Sequence, residues 1–400
     1  MTGIVVIGAG QAGVALAAKL RGLGADQPIT LIGAETTPPY QRPPLSKGYL
    51  LGEIGVDRLT LRSDSFYAEN DIDLRLGHPV TSIDRASRNI RLGSEWIPYD
   101  QLAFTTGSVA RRLPVAAGGK RPGVHTVRTR GDVDAMRADL APGHRAVVIG
   151  GGYIGLEAAA VLAKLGLEVT LVEAAPRILA RVANSETAAF FRDLHQQNGV
   201  TILEETGVAN LAGEGDAGRV TGVELVDGRV LPADLVVTGI GIEPVSAMAE
   251  AAGLDIDNGI AVDDFGRTSD PDIWAAGDCT SFMWRGQRMR LESVQNAIEQ
   301  AECVAANMLG AGQSYAPMPW FWSDQYDVKL QIAGLHRGYD QVITRQDGGT
   351  SFWSFAAGQL IAVDAANDPR AYMVGKRLLE AGRSVSPEAV AGAVKVQDLL

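Results

Sequence analysis

Residues 4–35 read IVVIGAGQAGVALAAKLRGLGADQPITLIGAE, and residues 146–173 read AVVIGGGYIGLEAAAVLAKLGLEVTLVE. Each stretch opens on a β-branched apolar run and passes through G-x-G-x-x-G. Each then continues into an Ala/Leu-rich helix and closes on a second apolar strand and an acid. A glycine triplet alone is a weak signal. Between a strand and a helix, and ahead of an acid, it marks a dinucleotide-binding βαβ unit. The glycines are Gly8, Gly10 and Gly13 in the first copy and Gly150, Gly152 and Gly155 in the second. They allow the backbone to approach a pyrophosphate seated on a helix N-terminus. The competing reading is that they serve only close helix–sheet packing. Tyr153 and Ile154 open the second helix within the same fingerprint.

The ends of the two copies differ. Glu173 follows VTLV directly, placed to accept ribose hydroxyls and to repel a 2′-phosphate, which favours NAD. Arg177, close behind, pulls the other way. In the first copy Gly33 takes the matching place and the acid arrives later as Glu35. Two further segments favour FAD there. TSDPDIWAAGD, residues 268–278, reads as a strand ending in Gly277 and Asp278, a pair of the kind that meets a flavin's ribityl chain. Asp278 could instead be a helix N-cap. LAFTTG, residues 102–107, reads as a strand ending in Thr106 and Gly107, small enough to close around FAD.

Composition bounds the rest. The 400 residues suit two or three domains, with 46% hydrophobic and 21% charged residues. A formal charge of −11 argues against general binding to nucleic acid or an anionic membrane, and no apolar run reaches spanning length. MTGIVVIGAG lacks a basic leader and reads as a first strand. Cys279 and Cys303 have no CxxC or metal-ligand spacing, so no metal site is expected. A reducing, cytoplasmic setting follows as the simplest expectation. In PPYQRPPLSKGYL, residues 38–50, four prolines within 38–44 predict a stiff segment without helix that projects Arg42 and Lys47.

Beyond the fingerprints, YQRPPLSKGYL, TSDPDIWAAGDC, LESVQNAIEQA and PWFWSDQ resemble, nearly end to end, the two-dinucleotide flavoprotein reductases. The resemblance is specifically to the ferredoxin reductases of bacterial oxygenase systems. It implies an α/β, glutathione-reductase-like fold with two Rossmann-like domains and a C-terminal α/β domain. The FAD-binding domain would be split, 1–111 and 243–317, around an NAD-binding domain at 112–242, with the C-terminal domain at 318–400. The activity implied is transfer from NADH through FAD to a [2Fe–2S] ferredoxin. That ferredoxin would supply a cytochrome P450 or a ring-hydroxylating dioxygenase. Rubredoxin reduction, quinone or radical reduction, and redox sensing are the alternatives on the same fold.

Disulfide-reducing relatives need a cysteine pair, and single-cysteine relatives carry sulfur in the loop matching PPLSKG. Here that loop holds Leu45, Ser46 and Lys47. Both cysteines therefore read as core residues, and hydride chemistry ends on the flavin. The resemblance puts Lys47 beside the flavin, paired with Glu157 of GYIGLE; a salt bridge that only fixes a domain angle is the other reading. It also makes Arg42 an FAD-supporting arginine, against a solvated loop charge. Val294 lines the FAD site, and Gly241 borders the nicotinamide, against a simple turn. Trp320 and Trp322 alternate on a strand and would share a face. Core packing is the plain reading, and the resemblance puts Trp322 beside the flavin. Arg62, Arg290 and Lys329 are the candidate docking cations for an acidic ferredoxin.

Overall fold

The computed structural model describes residues 2–215 and 218–400. It separates into two compact units, one of Met1–Gln41, Val56–Val109 and Glu243–Pro317, the other of Arg42–Gly55, Ala110–Ile242 and Met318–Leu400.

The first unit is built on a parallel sheet ordered Ile72–Leu76, Ile29–Gly33, Gly3–Ile7 and Glu95–Phe104, with Ile273–Ala275 added beyond the last. Ile4, Val5, Val6 and Ile7 are all buried, as a strand covered on both faces requires. The strand Glu95–Phe104 serves two sheets. Its first half continues an antiparallel meander with Asn89–Leu92 and Val80–Asp84, and its second half enters the parallel sheet. The helix Gln11–Gly22 packs on Val294–Met308, where Ala12, Ala297 and Ala301 join Leu16 and Val304 in one core. No helix begins at Asp278: the next element is the strand Thr280–Trp284, which removes the N-cap reading.

The second unit repeats the plan. Its five parallel strands run Thr201–Leu203, Glu168–Val172, Arg145–Ile149, Leu235–Thr238 and Val124–Thr126. A small antiparallel sheet follows, Val208–Gly213, Val220–Leu225 and Val230–Pro232. Residues beyond Met318 form a five-stranded antiparallel sheet, beginning with Trp320–Gln325 and Val328–Gly334. Helix Pro369–Glu380 packs on it, its Leu378 joining Trp353, Phe355 and Val363 of the sheet in one core.

The proline segment departs from expectation. Pro43–Ser46 is a 3-10 turn and Gly48–Leu51 a single helical turn. Proline excludes the helix interior but suits a first turn, where its missing N–H has no partner to lose. The stiff frame is therefore two short helical turns joined at Lys47, whose own backbone is not helical. Among the described residues no helix is long and apolar enough to cross a membrane.

Candidate functional site

In the first fingerprint the three glycines have separate reasons. Gly8 has φ +115°, and a Cβ there would sit 2.2 Å from the Thr105 carbonyl oxygen. A Cβ on Gly13 would sit 1.9 Å from the Gly8 carbonyl oxygen. Packing alone demands glycine at both. Around Gly10 nothing lies within 4 Å of the added carbon, so packing does not explain it. Gly10 is also the N-cap of Gln11–Gly22, without a side-chain cap or an acid in the first turn. The helix therefore presents open N–H groups beside an unobstructed backbone, which fits a pyrophosphate.

The other candidates of this unit gather at the carboxyl ends of the same strands. Thr105 Oγ1 donates to the Gly8 carbonyl at 2.7 Å, and Thr106 Oγ1 to Val245 O at 2.7 Å. Gly107 and Gly277 have φ of +66° and +85°. A Cβ on Gly277 would meet Ala12 at 3.1 Å, so this turn lies on the fingerprint helix. Asp278 accepts from Ser108 Oγ at 2.8 Å. Glu35 accepts from Tyr40 OH at 2.7 Å, and Val294 opens a helix capped by Ser293. Open helix N–H groups, an acid and small turn residues at one sheet edge are the chemistry that FAD needs.

The second fingerprint repeats the pattern. Gly150 has φ +106° and stands against Gly239 O, and Gly155 stands against Gly150 O. Gly152 has nothing within 4 Å and opens the uncapped helix Tyr153–Lys164. Glu173 accepts from the N–H groups of Gly151 at 2.6 Å and Ala175 at 2.7 Å, which ties its carboxylate to the glycine loop. Arg177 donates to the carbonyls of Ile178, Ala183 and Asn184, so its guanidinium is committed away from a ribose phosphate. Ile154 is 43% exposed in the first helical turn. Gly241 has φ +102°, and its carbonyl accepts from the Arg111 N–H at 3.0 Å. The residues fit NAD without a 2′-phosphate.

Lys47 and Glu157 meet. Lys47 Nζ is 2.8 Å from Glu157 Oε2, with the side chains 18% and 3% exposed. Ser46 Oγ donates to the same Oε2 at 2.5 Å, and Ser323 Oγ donates to Oε1 at 2.6 Å. Lys47 also donates to Pro43 O at 3.2 Å, which folds the ammonium back over the proline turn. Both serines escape a motif search. Ser46 reads there only as a position without sulfur, and the signal for Ser323 is the strand alternation in PWFWSDQ.

That alternation also sorts the aromatic residues. Phe321 stacks on Tyr153 at 4.6 Å between ring centroids, on the face that carries Ser323. Trp320 and Trp322 stack on each other at 5.7 Å on the opposite face. Trp322 also lies 6.3 Å from the Phe321 ring, so the three aromatic residues form one cluster.

Arg42 Nη1 donates to Arg128 O at 2.7 Å. Arg62 is exposed and lies over the Phe66 ring, and Lys329 is exposed. Arg290 differs: it is 11% exposed and paired with Glu292, which withdraws it from the surface. Cys279 and Cys303 are free and buried, and burial raises both thiol pKa values, so neither is a ready thiolate.

The pyridine nucleotide-disulphide oxidoreductase family matches residues 2–301, and a reductase C-terminal family matches residues 320–400. A ferredoxin--NAD(P)(+) reductase of a Sphingomonas species is 45% identical over 96% of this chain and 94% of its own. Putidaredoxin reductase of Pseudomonas putida is 40% identical over 96% and 93%. The chain belongs to the ferredoxin reductases of this family. It is an NAD(H)-dependent flavoprotein oxidoreductase that uses FAD. The putidaredoxin reductase subunit of a covalent complex with putidaredoxin superposes with a TM-score of 0.95 and 39% identity. The match covers 99% of this chain and 97% of that one.

Proposed function

We propose that this reductase takes electrons from NADH and delivers them to a [2Fe–2S] ferredoxin in the cytoplasm, for use by a cytochrome P450 or ring-hydroxylating dioxygenase. The observation that carries this reading is the pairing of Glu157 with Lys47 of the proline turn, the loop in which single-cysteine relatives carry sulfur, together with the burial of both cysteines. Bound FAD supplies the exchange between a two-electron hydride donor and one-electron acceptors.

The chain's own residues bind, orient and tune. The N–H groups after Gly10, with Glu35, Arg42, Thr106, Gly107, Gly277, Asp278 and Val294, hold FAD. Those after Gly152, with Tyr153, Ile154, Glu173 and Gly241, hold NADH. Lys47 places a positive charge where reduction adds negative charge, and Glu157 fixes its position. Trp322 is an aromatic wall of the reacting centre. The working domains follow the chain as 1–111 with 243–317 for FAD, 112–242 for NAD and 318–400 at the C-terminus. Arg62 and Lys329 steer the ferredoxin.

Anaerobic titration of the purified protein with NADH and NADPH tests the donor, and a panel of ferredoxins, rubredoxins and quinones tests the acceptor. NADH is expected to bleach the flavin at one equivalent without exposing thiols, and a [2Fe–2S] ferredoxin to be the fastest acceptor. A preference for rubredoxin or quinone, or thiols appearing on reduction, overturns the reading.

A further inference from the structure

The hydrogen bonds at Glu157 do not end at Ser323. Gln325 Nε2 lies 3.1 Å from Ser323 Oγ, and Gln325 Oε1 lies 2.8 Å from His195 Nε2. His195 Nδ1 lies 3.1 Å from the hydroxyl of Tyr326. Ser323, Gln325 and His195 are buried, and Tyr326 is half-buried. The chain joins the end of helix Ser185–Gln197 to the strand Trp320–Gln325 and the turn after it, and from there to helix Tyr153–Lys164.

Its direction is determined at one end. Both Glu157 oxygens face donors, Lys47 and Ser46 on one and Ser323 on the other, so the carboxylate accepts from Ser323. Ser323 must give its one proton to Glu157 and can receive only a donor from Gln325, which is the amide nitrogen. The amide oxygen then faces His195, so the imidazole carries its proton on Nε2. The lone pair on Nδ1 takes the tyrosine hydroxyl. Every donor from Tyr326 inward points toward Glu157. Bonds aligned in this way polarise one another in a medium of low dielectric. An amide in the middle passes no proton readily, so the chain acts as a fixed support and not as a proton path. Burial lowers the His195 pKa to about 4, which keeps the ring neutral as the donor order requires.

We propose that Ser323, Gln325 and His195 are positioning residues of the reductase: a one-way hydrogen-bond chain that holds Glu157 and so sets the charge Lys47 shows to the flavin. This rests on the reading that Lys47 and Glu157 work at the flavin. Removing a donor leaves more of the Glu157 negative charge uncompensated, so reduction becomes harder.

The test uses the holoenzyme and measures the flavin midpoint potential against a reference dye. Ser323→Ala is expected to shift it to more negative values, by a change of roughly tenfold in the reduction equilibrium, about 30 mV for a two-electron couple. Ser323→Thr, which keeps the hydroxyl, is expected to restore it. Gln325→Leu moves it the same way and serves should Ser323→Ala fail to fold. ¹⁵N NMR of histidine in the unmodified protein is expected to show His195 as the neutral Nε2–H tautomer at pH 7. The Nδ1–H tautomer, or an unmoved potential in Ser323→Ala while Lys47→Met moves it, overturns the chain but leaves the Lys47 reading standing. If Lys47→Met also leaves the potential unmoved, the Lys47 reading fails and the chain's role falls with it.

Discussion

Glu157 is a nearly inaccessible carboxylate held by one ammonium and two hydroxyls. Removing the ammonium costs more than the pair contributes, because a charge is left behind in a poor solvent. Lys47→Met is expected to lower stability by about 3 kcal/mol in a denaturant titration and to slow reduction by NADH at least tenfold in stopped flow. A wild-type reduction rate in that variant removes Lys47 from catalysis. His195 makes a second residue-level claim. Its pKa, about 4 in the folded chain, lies below the usual 6.5, so between those values the unfolded chain binds the extra proton. Stability therefore falls as pH drops from about 6.5 to 4, with His195 contributing on the order of 3 kcal/mol to the loss. His195→Gln, which keeps a donor for Gln325, is expected to flatten that part of a pH–stability curve; an unchanged slope would assign the loss to other groups.

At the scale of the element, the glycine turn of Tyr153–Lys164 separates binding from packing within four residues. Gly152→Ala is expected to leave the denaturation midpoint within about 0.5 kcal/mol of the original, since its Cβ meets nothing, yet to raise KM for NADH tenfold or more. Gly155→Ala would collide with the Gly150 carbonyl and is expected to destabilise by about 2 kcal/mol or more. Equal effects of the two changes on stability would contradict the separate roles. Both βαβ units were legible because strand, glycine turn and helix are local, and each follows from its own residues. The proline segment was not legible: Pro43 and Pro44 sit at first-turn positions, and only the surrounding fold makes that turn worth forming. The lysine–glutamate pair came from resemblance. The contact of Gln325 with His195 was beyond reach, since it spans some 130 residues of chain, and the alternation that puts Ser323 on one face does not name its partner.

For the whole molecule, a formal charge of −11 opposes any acidic partner at long range. Productive encounter then depends on local cations, and exposed Arg62 and Lys329 are the residues proposed for it. Raising ionic strength is expected to suppress ferredoxin reduction several-fold more than reduction of an uncharged dye. Arg62→Glu or Lys329→Glu is expected to lower kcat/KM for the ferredoxin while sparing the dye. Equal salt sensitivity for both acceptors refutes local steering.

The strand Trp320–Gln325 has a practical consequence for anyone altering this protein. Its odd-numbered positions, Phe321, Ser323 and Gln325, face Tyr153, Glu157 and His195, and its even-numbered tryptophans face away. Substitutions at odd positions act on the Glu157 side, and those at even positions on the side where Trp320 packs on Tyr372 and Lys376. A single residue inserted between Phe321 and Trp322 would turn Trp322 inward and Ser323 and Gln325 away relative to Phe321, and two residues would restore the facing.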